Sequence, residues 1–563
     1  MHRIGIGKNA LKSKIRRSQR AAYNKSNGNA LGKNNKNMKD NFAQNSLPSL
    51  ELQPEYTFLD LPQFQRPKNL NCVQRLLDDH IENGKGDKVC IRTFDEIWTY
   101  RDLYEKANQI AHVLIDDLGL QSGNRVLLRS CNNPMMVACW FAVLKAGGIV
   151  VATMPLLRAK ELKTLIDCAE ISHVLCDANL ADEVNLVQSD FLKTSCFYGD
   201  GELEKLMASK PKTFENYPTK ADDISIIGFT SGTTGNPKMT AHYHKDILNI
   251  CEAFPNYSLQ PTEQDVFTGS PPIGFTFGLG GLVLFPMYFG ASTFLIEKPS
   301  PDLLLEAIEK HKITICFTAP TAWRILTEKA KEYDISSLRK CISAGETLPL
   351  KIWEDWYEAT GLKIIDGIGA TEMLHIFISS NENNMRPGAT GVAITGYEAK
   401  IIDEKGNELP PNQQGRLAVR GITGCKYLNR TEKQEEYVQD GWNLTGDIFR
   451  KDEDGYFWFV ARGDDMIISS GYNIAAIEVE SVLLTHEEIL ECAVVGLPDE
   501  ERGMLVCANI VLKNQENACD ELVKSIQNWF KENAAPYKYP RVINFLDKLP
   551  KTETGKIQRF KLK

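Results

Sequence analysis

Residues Thr230–Lys238 read TSGTTGNPK and follow the apolar run Ile224–Phe229. The apolar run predicts a buried strand. After it, glycines let the backbone curl, and main-chain N–H groups, hydroxyls and the charge of Lys238 can face an anion. The stretch is not a Walker A loop, because Pro237 precedes the lysine and Met239 follows it. It predicts a phosphate-binding loop after a strand, with an exposed polar hairpin turn as the alternative.

On both sides of this loop, helix-period segments alternate with short apolar runs, which predicts βαβ units and mostly parallel sheets. The segments with helical spacing are Tyr100–Leu118 and Pro301–Lys310. The predicted buried strands are Arg125–Leu128, Ile149–Ala152, His173–Cys176 and Ile313–Phe317. The fold class expected for the larger part of the chain is therefore α/β, with layered sheets and helices.

From Thr390 the pattern changes to short strands separated by turns, which predicts a compact antiparallel β subdomain. These strands are Tyr397–Ile402, Gly415–Val419 and Tyr456–Val460. After Asp464 the pattern changes again, to a small α+β domain. Its predicted elements are helix Ala475–Leu484, strands Glu491–Gly496 and Val506–Leu512, and helix Glu521–Asn533. We expect a tail over residues 1–46, an N-terminal domain over 47–463 and a C-terminal domain over 464–563.

Composition excludes several protein classes. The 563 residues are 43% hydrophobic and 25% charged, as in globular proteins and unlike disordered, collagen-like or disulfide-scaffold chains. The 14 cysteines include no CxxC pair, which favours reduced thiols, a reducing compartment and a cytoplasmic location. The uncharged stretch 273–296 is long enough for a bilayer, but its glycines and Pro286 predict a loop, a short helix and a strand instead.

Charge is unevenly placed along the chain. Residues 1–39 hold eleven Lys or Arg and no Asp or Glu, although the whole chain has a net charge of −8. The acidic main body argues against a nucleic-acid partner. The basic, Asn-rich segment is interpreted as a disordered tail or an extension before a true start at Met38. A transit peptide for the mitochondrial matrix is the alternative.

Three further motifs could carry chemistry. The stretch DGIGATE, Asp366–Glu372, offers a hydroxyl for phosphate and a carboxylate for Mg²⁺, although Glu372 could instead serve a helix start. Asp447 and Arg462 suit ribose hydroxyls, and a structural ion pair is the alternative. Lys556 lies on a glycine turn near the end of the chain, where a lysine is usually only solvated.

In this order, the four motifs resemble the adenylate-forming superfamily of acyl-CoA and aryl-CoA synthetases, adenylation domains and luciferases, over residues 47–563. The resemblance implies ATP, Mg²⁺ and coenzyme A. A carboxylate attacks the α-phosphate of ATP to give an acyl-adenylate and pyrophosphate. The mobile C-terminal domain then rotates, and the CoA thiol displaces AMP.

The same resemblance implies roles for individual residues. Lys556 would bridge the substrate carboxylate and the α-phosphate, Thr371 would contact the α-phosphate, Glu372 would bind the metal, and Asp464 would be the hinge. The implied CoA-binding residues are Ser470 and Gly471. The implied ATP-binding residues are Thr230, Ser231, Gly232, Thr233, Thr234, Lys238, Gly345, Glu346, Thr347, Asp366, Gly367, Ile368, Asp447 and Arg462. Two positions depart from the family: Ile368 stands where many relatives have tyrosine, and Asn473 where many synthetases have arginine.

Resemblance of further sequence segments indicates which acid is the substrate. Residues 367–377 resemble the benzoate-CoA ligase branch, and residues 133–140 with 152–162 are similar to 2-aminobenzoate-CoA ligases. The implied acyl-pocket residues are His242, Tyr243, Phe275, Phe277, Gly278, Ala319 and Met373. We therefore expect an aromatic acid, 2-aminobenzoate or benzoate, and a monomer or homodimer. The alternatives are a short- or medium-chain fatty acyl-CoA synthetase, and an adenylation enzyme that loads a carrier protein.

Overall fold

The computed structural model describes residues 39–230, 237–469, 472–499, 502–534, 536–551 and 557–563. Residues Asp40–Lys563 form one compact unit. The carboxylate of Asp40 accepts a hydrogen bond from the buried guanidinium of Arg125 at 2.5 Å. Residues 40–46 were placed in the predicted tail, but this contact and helix Phe42–Asn45 make them part of the folded body.

A six-stranded sheet carries the Thr230–Lys238 loop. Its strands, in spatial order, are Thr194–Tyr198, His173–Asp177, Arg125–Arg129, Ile149–Thr153, Ile224–Thr230 and Lys238–Tyr243. The first five are parallel, and the last two form an antiparallel pair in which Thr230 faces Lys238. The loop therefore joins two hydrogen-bonded strands, which fixes the separation of its two ends.

A nine-stranded sheet forms the second layer. Its strands, in spatial order, are Val392–Ala393, Ile376–Ser379, Ile364–Gly369, Lys340–Ala344, Ile315–Thr318, Val266–Gly269, Ser292–Phe294, Val89–Arg92 and Ile97–Thr99. The six central strands are parallel, and the edge strands pair antiparallel. Parallel strands are covered by helices on both faces, which explains their continuous apolar runs. The α/β prediction is confirmed.

Two of the longer helices begin at capping side chains followed by proline. Asn133 and Ser300 each accept a main-chain N–H three residues later, and a proline follows each of them at the first helical position. The longer helices are Tyr100–His112, Pro134–Lys145, Ala159–Cys168, His244–Phe254, Pro301–His311, Pro320–Lys329 and Leu350–Thr360. Shorter helices are Asp79–Glu82, Ala181–Asn185, Glu202–Met207 and Thr431–Tyr437.

The uncharged stretch 273–296 is divided as predicted. It contains helical segments Thr276–Leu279, Gly280–Leu284 and Phe285–Phe289, followed by strand Ser292–Phe294. Within the described part of the chain, no helix has the length and apolar character that a membrane crossing requires. None of the 14 cysteines forms a disulfide in the structure.

Two smaller sheets complete the fold. The predicted antiparallel subdomain consists of strands Tyr397–Ile402, Gln414–Gly421, Trp442–Lys451, Val438–Gln439 and Phe457–Arg462. The C-terminal sheet contains Tyr472–Ala475, Met466–Ser469, Gly503–Leu512, Ile489–Asp499 and Val542–Phe545. Helices Ala476–Leu483 and Asp520–Asn533 supply the apolar side chains of a separate small core, among them Val479, Ile526 and Phe530.

Three buried histidines predict that the folded protein loses stability at acidic pH. Burial lowers the pKa of His173, His242 and His244 to about 4 each. In the unfolded chain a histidine has a pKa of about 6.5, so below that pH its imidazole is protonated, whereas these buried imidazoles stay neutral in the folded protein. The free energy of unfolding therefore falls as the pH falls from about 6.5 towards 4. We expect the free energy of unfolding in urea to fall by about 1.4 kcal/mol per pH unit for each such imidazole.

The control is the His173→Gln variant, which removes one titrating ring. Its free energy of unfolding should fall less steeply between pH 6 and pH 5 than that of the unsubstituted protein. Equal slopes in the two proteins would contradict the assignment of His173 as a buried neutral imidazole.

Candidate active site

The Thr230–Lys238 strand pair and the Asp366–Glu372 turn meet at one place. A Cβ on Gly228 would lie 2.7 Å from the methyl carbon of Thr371, so the end of strand Ile224–Thr230 packs directly on that threonine. The Thr230 hydroxyl is buried there, and no described residue hydrogen-bonds it. A hydroxyl left without a partner at this point is available to a ligand.

Lys238 and Glu372 lie on the two sides of a buried tyrosine hydroxyl. The ammonium of Lys238 donates to the Tyr427 hydroxyl at 2.8 Å, and that hydroxyl donates to Glu372 Oε1 at 2.5 Å. The two charged groups are themselves 4.0 Å apart. Burial and the neighbouring carboxylate raise the pKa of Tyr427 far above its usual value, so its hydroxyl stays protonated as a donor.

Glu372 is the described carboxylate best placed for a cation. It is only 8% exposed, and Tyr427 is bonded to one of its two oxygens. Among the described residues there is no cluster of three or more potential metal ligands. One carboxylate fits Mg²⁺, which is usually held by one or two carboxylates together with substrate phosphates. Glu372 would therefore hold the metal beside the Lys238 ammonium.

A cavity of about 520 Å³, called the smaller cavity, opens along residues 366–369 of the Asp366–Glu372 turn. It is lined by eight of the predicted ATP-binding residues, Gly345, Glu346, Thr347, Asp366, Gly367, Ile368, Asp447 and Arg462. Side chains of the C-terminal part, including Glu480 and Arg559, complete its wall. Motifs separated by more than a hundred residues thus share one cavity.

Asp447 and Arg462 face each other across neighbouring antiparallel strands. The guanidinium is 3.2 Å from the carboxylate, and the aspartate is buried while the arginine is 55% exposed. The two residues therefore form the structural ion pair that was the alternative interpretation. They also form a polar part of the wall of the smaller cavity. In the wall of the same cavity, burial raises the pKa of Asp366 to about 8, so that side chain is largely uncharged at neutral pH.

A second cavity, the larger cavity, has a volume of about 620 Å³. Of the predicted acyl-pocket residues it contains Phe275, Phe277 and Ala319, and Thr371 is also in its wall. It shares Gly345, Glu346 and Gly369 with the smaller cavity. The two cavities therefore adjoin each other at the Thr371 turn.

His375 also lines the larger cavity. Its ring lies 4.6 Å from that of Phe285 and 6.0 Å from that of Phe277, measured between centroids. Burial lowers the pKa of His375 to about 3, so the imidazole is neutral. A neutral ring among phenylalanines gives this cavity one aromatic wall, and polar side chains such as Asn132, Ser270 and Glu297 line other parts of it.

Four predicted acyl-pocket residues lie outside the larger cavity. His242 turns away and pairs with the Thr371 carbonyl at 2.7 Å, and Tyr243 packs under the buried Lys426 ammonium. Gly278 leaves no room for a side chain because a Cβ would overlap the Pro272 carbonyl oxygen. The Met373 carbonyl accepts from Thr423, and its side chain is in the core. These four residues pack behind the wall of the larger cavity and do not line it.

Several predicted site residues lie outside the described part of the chain: Ser231, Gly232, Thr233, Thr234, Ser470, Gly471 and Lys556. Asp464 is within the short helix Gly463–Asp465, where only its backbone is described. Sequence reasoning missed Tyr427, which has no motif around it and reaches Lys238 from 189 residues away. It also missed cavity-lining Cys131, Asn132 and Ser270.

Two protein-family models and several known proteins match this chain. The model of the AMP-binding enzyme family matches residues 77–426, and that of the AMP-binding enzyme C-terminal domain matches residues 478–556. A benzoate–CoA ligase of Thauera aromatica is 33% identical over 89% of this chain and 97% of its own.

Two solved structures are similar over nearly their whole length. The anthranilate CoA ligase AuaEII in complex with anthranoyl-AMP has a TM-score of 0.85 and 33% identity, covering 89% of this chain and 98% of that one. ATP-bound MatB from Rhodopseudomonas palustris has a TM-score of 0.82 and 27% identity, covering 88% and 98%.

Proposed function

The chain belongs to the family of AMP-binding enzymes, and on this basis we propose that it joins an aromatic carboxylic acid to coenzyme A at the expense of ATP. The products are the aryl-CoA thioester, AMP and pyrophosphate. The observation that carries the proposal is the pair of cavities meeting at Gly345, Glu346 and Gly369. One has the polar groups for a nucleotide, and the other has aromatic walls for an acid.

The reaction proceeds in two steps. A carboxylate oxygen of the acid in the larger cavity attacks the α-phosphorus of ATP, and the bond to pyrophosphate breaks. The CoA sulfur then attacks the acyl carbon, loses its proton, and AMP leaves. Lys238 offsets phosphate charge, Thr371 lies where the two cavities adjoin, and Asp447 with Arg462 binds the ribose. Mg²⁺ held by Glu372 would neutralise charge on the phosphates.

We assign the remaining roles to residues whose side chains the structure does not describe. Lys556 bridges the acid carboxylate and the α-phosphate during the first step. Asp464 is the hinge about which the C-terminal domain, residues 464–563, rotates before the second step. Ser470 and Gly471 then line the path of the thiol arm.

Aromatic acids are favoured by the larger cavity and by the relatives. Phe275, Phe277 and the neutral His375 supply aromatic surface against which a planar ring can pack. The names of the benzoate–CoA and anthranilate CoA ligases agree with this choice. We propose 2-aminobenzoate or benzoate ahead of the fatty acids and of carrier-protein loading. We also propose a cytoplasmic enzyme that is a monomer or a homodimer.

The test is product identification with the full chain, benzoate or 2-aminobenzoate, ATP, Mg²⁺ and CoA. We expect thioester, AMP and pyrophosphate in equal amounts, with no ADP. Adenylate formation without any gain from CoA would instead support a carrier-loading enzyme, and absence of acid-dependent pyrophosphate release would refute the proposal.

Phe277→Leu is expected to change selectivity. Removing the ring widens the larger cavity, so kcat/KM for benzoate relative to octanoate should fall by about tenfold or more, the usual effect of altering a few carbon atoms of a pocket wall. Thioester formation with each acid measures the ratio.

The matched control is Phe267→Leu. Phe267 stacks on Phe317, the ring that Phe277 also contacts, but it is not in the wall of either cavity. It should leave the selectivity ratio unchanged. Equal shifts in both variants would mean that general loosening of the core, rather than the cavity wall, sets selectivity.

A further inference from the structure

We propose that Tyr427 is a positioning residue that fixes the Glu372 carboxylate and keeps the Lys238 ammonium apart from it, so that both charges are available to magnesium-bound ATP. The inference rests on the proposed function, because it takes Lys238 and Glu372 to be the groups that meet the phosphates and the metal. It gives a role to a side chain that lies in neither cavity wall.

The first support is the hydrogen-bond geometry. A phenol hydroxyl has one proton to donate and lone pairs with which to accept. In Tyr427 the proton points to Glu372 Oε1 at 2.5 Å and a lone pair receives the Lys238 ammonium at 2.8 Å. The charged groups stay 4.0 Å apart with this hydroxyl bonded to both. The second carboxylate oxygen remains for a cation.

The second support is how firmly Tyr427 itself is held. Its main-chain N–H donates to Gln434 Oε1 at 2.8 Å, and the Gln434 amide donates to the Cys425 carbonyl at 3.0 Å. Its ring packs edge-on against Tyr437 with 5.6 Å between centroids, and the whole residue is 1% exposed. A side chain fixed in this way is preorganised, so it can set the position of its two charged partners before the ligand arrives.

Removal of the Tyr427 hydroxyl is expected to weaken the binding of magnesium-bound ATP. Opposite charges 4.0 Å apart with no group bonded to both attract each other strongly in a partly buried site. In the Tyr427→Phe variant the lysine and glutamate should close into a direct ion pair, which magnesium-bound ATP must break before it binds. Because the lost bonds involve charged groups, we expect affinity for ATP in the presence of Mg²⁺ to fall by about 10- to 100-fold.

The experiment measures equilibrium binding of ATP to the full chain, with and without Mg²⁺ and without acid or CoA. Tyr427→Phe should weaken binding mainly when Mg²⁺ is present and raise the KM for ATP more than it lowers kcat. The matched control is Tyr437→Phe, because no described residue hydrogen-bonds the Tyr437 hydroxyl. That variant should bind ATP like the unsubstituted protein.

A double variant separates positioning from folding. In Lys238→Gln the ion pair cannot form, so adding Tyr427→Phe to it should weaken ATP binding much less than in the unsubstituted background. Equal additional losses in the two backgrounds, or the same loss in Tyr427→Phe and Tyr437→Phe, would overturn the inference. If the unsubstituted protein bound no ATP, the proposed function would fail instead.

Discussion

Lys556→Ala is expected to lower the rate of acyl-adenylate formation by about 10²- to 10³-fold, the usual loss when a fixed donor aimed at developing charge is removed. Thioester formation from supplied acyl-adenylate and CoA should change far less, because the role we propose for the lysine is in the first step only. The expectation comes from the motif PKTETGK, Pro550–Lys556, at the end of the matched C-terminal family region.

The two half-reactions are measured separately, the first by acid-dependent exchange of pyrophosphate into ATP and the second by release of AMP from supplied adenylate. Lys561→Ala is the control, since Lys561 is an exposed lysine in the same tail. Equal losses of both half-reactions in Lys556→Ala would contradict the assignment of this lysine to adenylation and of the C-terminal domain to two arrangements.

Glu372→Gln is expected to produce the other large loss. The amide keeps the shape of the side chain and can still accept from Tyr427, but it removes the buried negative charge that faces Lys238 and would bind the metal. Adenylate formation should fall by about 10²- to 10³-fold. The Mg²⁺ concentration needed for half-maximal rate should rise.

Titration of Mg²⁺ at fixed ATP checks this expectation. Glu398→Gln is the control, because Glu398 is a partly exposed carboxylate that pairs with Arg420 at 2.7 Å outside both cavities. A Glu372→Gln enzyme with an unchanged Mg²⁺ requirement would show that this carboxylate holds no metal.

The fold was largely predictable because its strands are short apolar runs with polar ends. Strand Tyr397–Ile402 agrees with its predicted bounds, and helix Pro301–His311 agrees to one residue. Register and sheet order depend on contacts between distant segments, which a single sequence does not contain. The parallel pairing of Val89–Arg92 with Ser292–Phe294 is one such feature.

The candidate site was likewise only partly predictable from the sequence. Motifs that carry their chemistry in consecutive residues, such as Asp366–Glu372, could be found by reading along the chain. Tyr427 could not, since it approaches Glu372 only because the segment after strand Gln414–Gly421 folds back beneath the turn. His242 was assigned to the acyl pocket, but its ring points to the Thr371 carbonyl in the interior.

A single competition assay measures whether this enzyme activates an aromatic acid in preference to an aliphatic one. The full chain is incubated with ATP, Mg²⁺, CoA and equimolar 2-aminobenzoate, benzoate, 4-hydroxybenzoate, butyrate and octanoate, and the thioesters are identified by mass. We expect 2-aminobenzoyl-CoA or benzoyl-CoA to predominate. A predominance of butyryl-CoA or octanoyl-CoA would contradict it, because the larger cavity would then accept a flexible chain in preference to a planar ring.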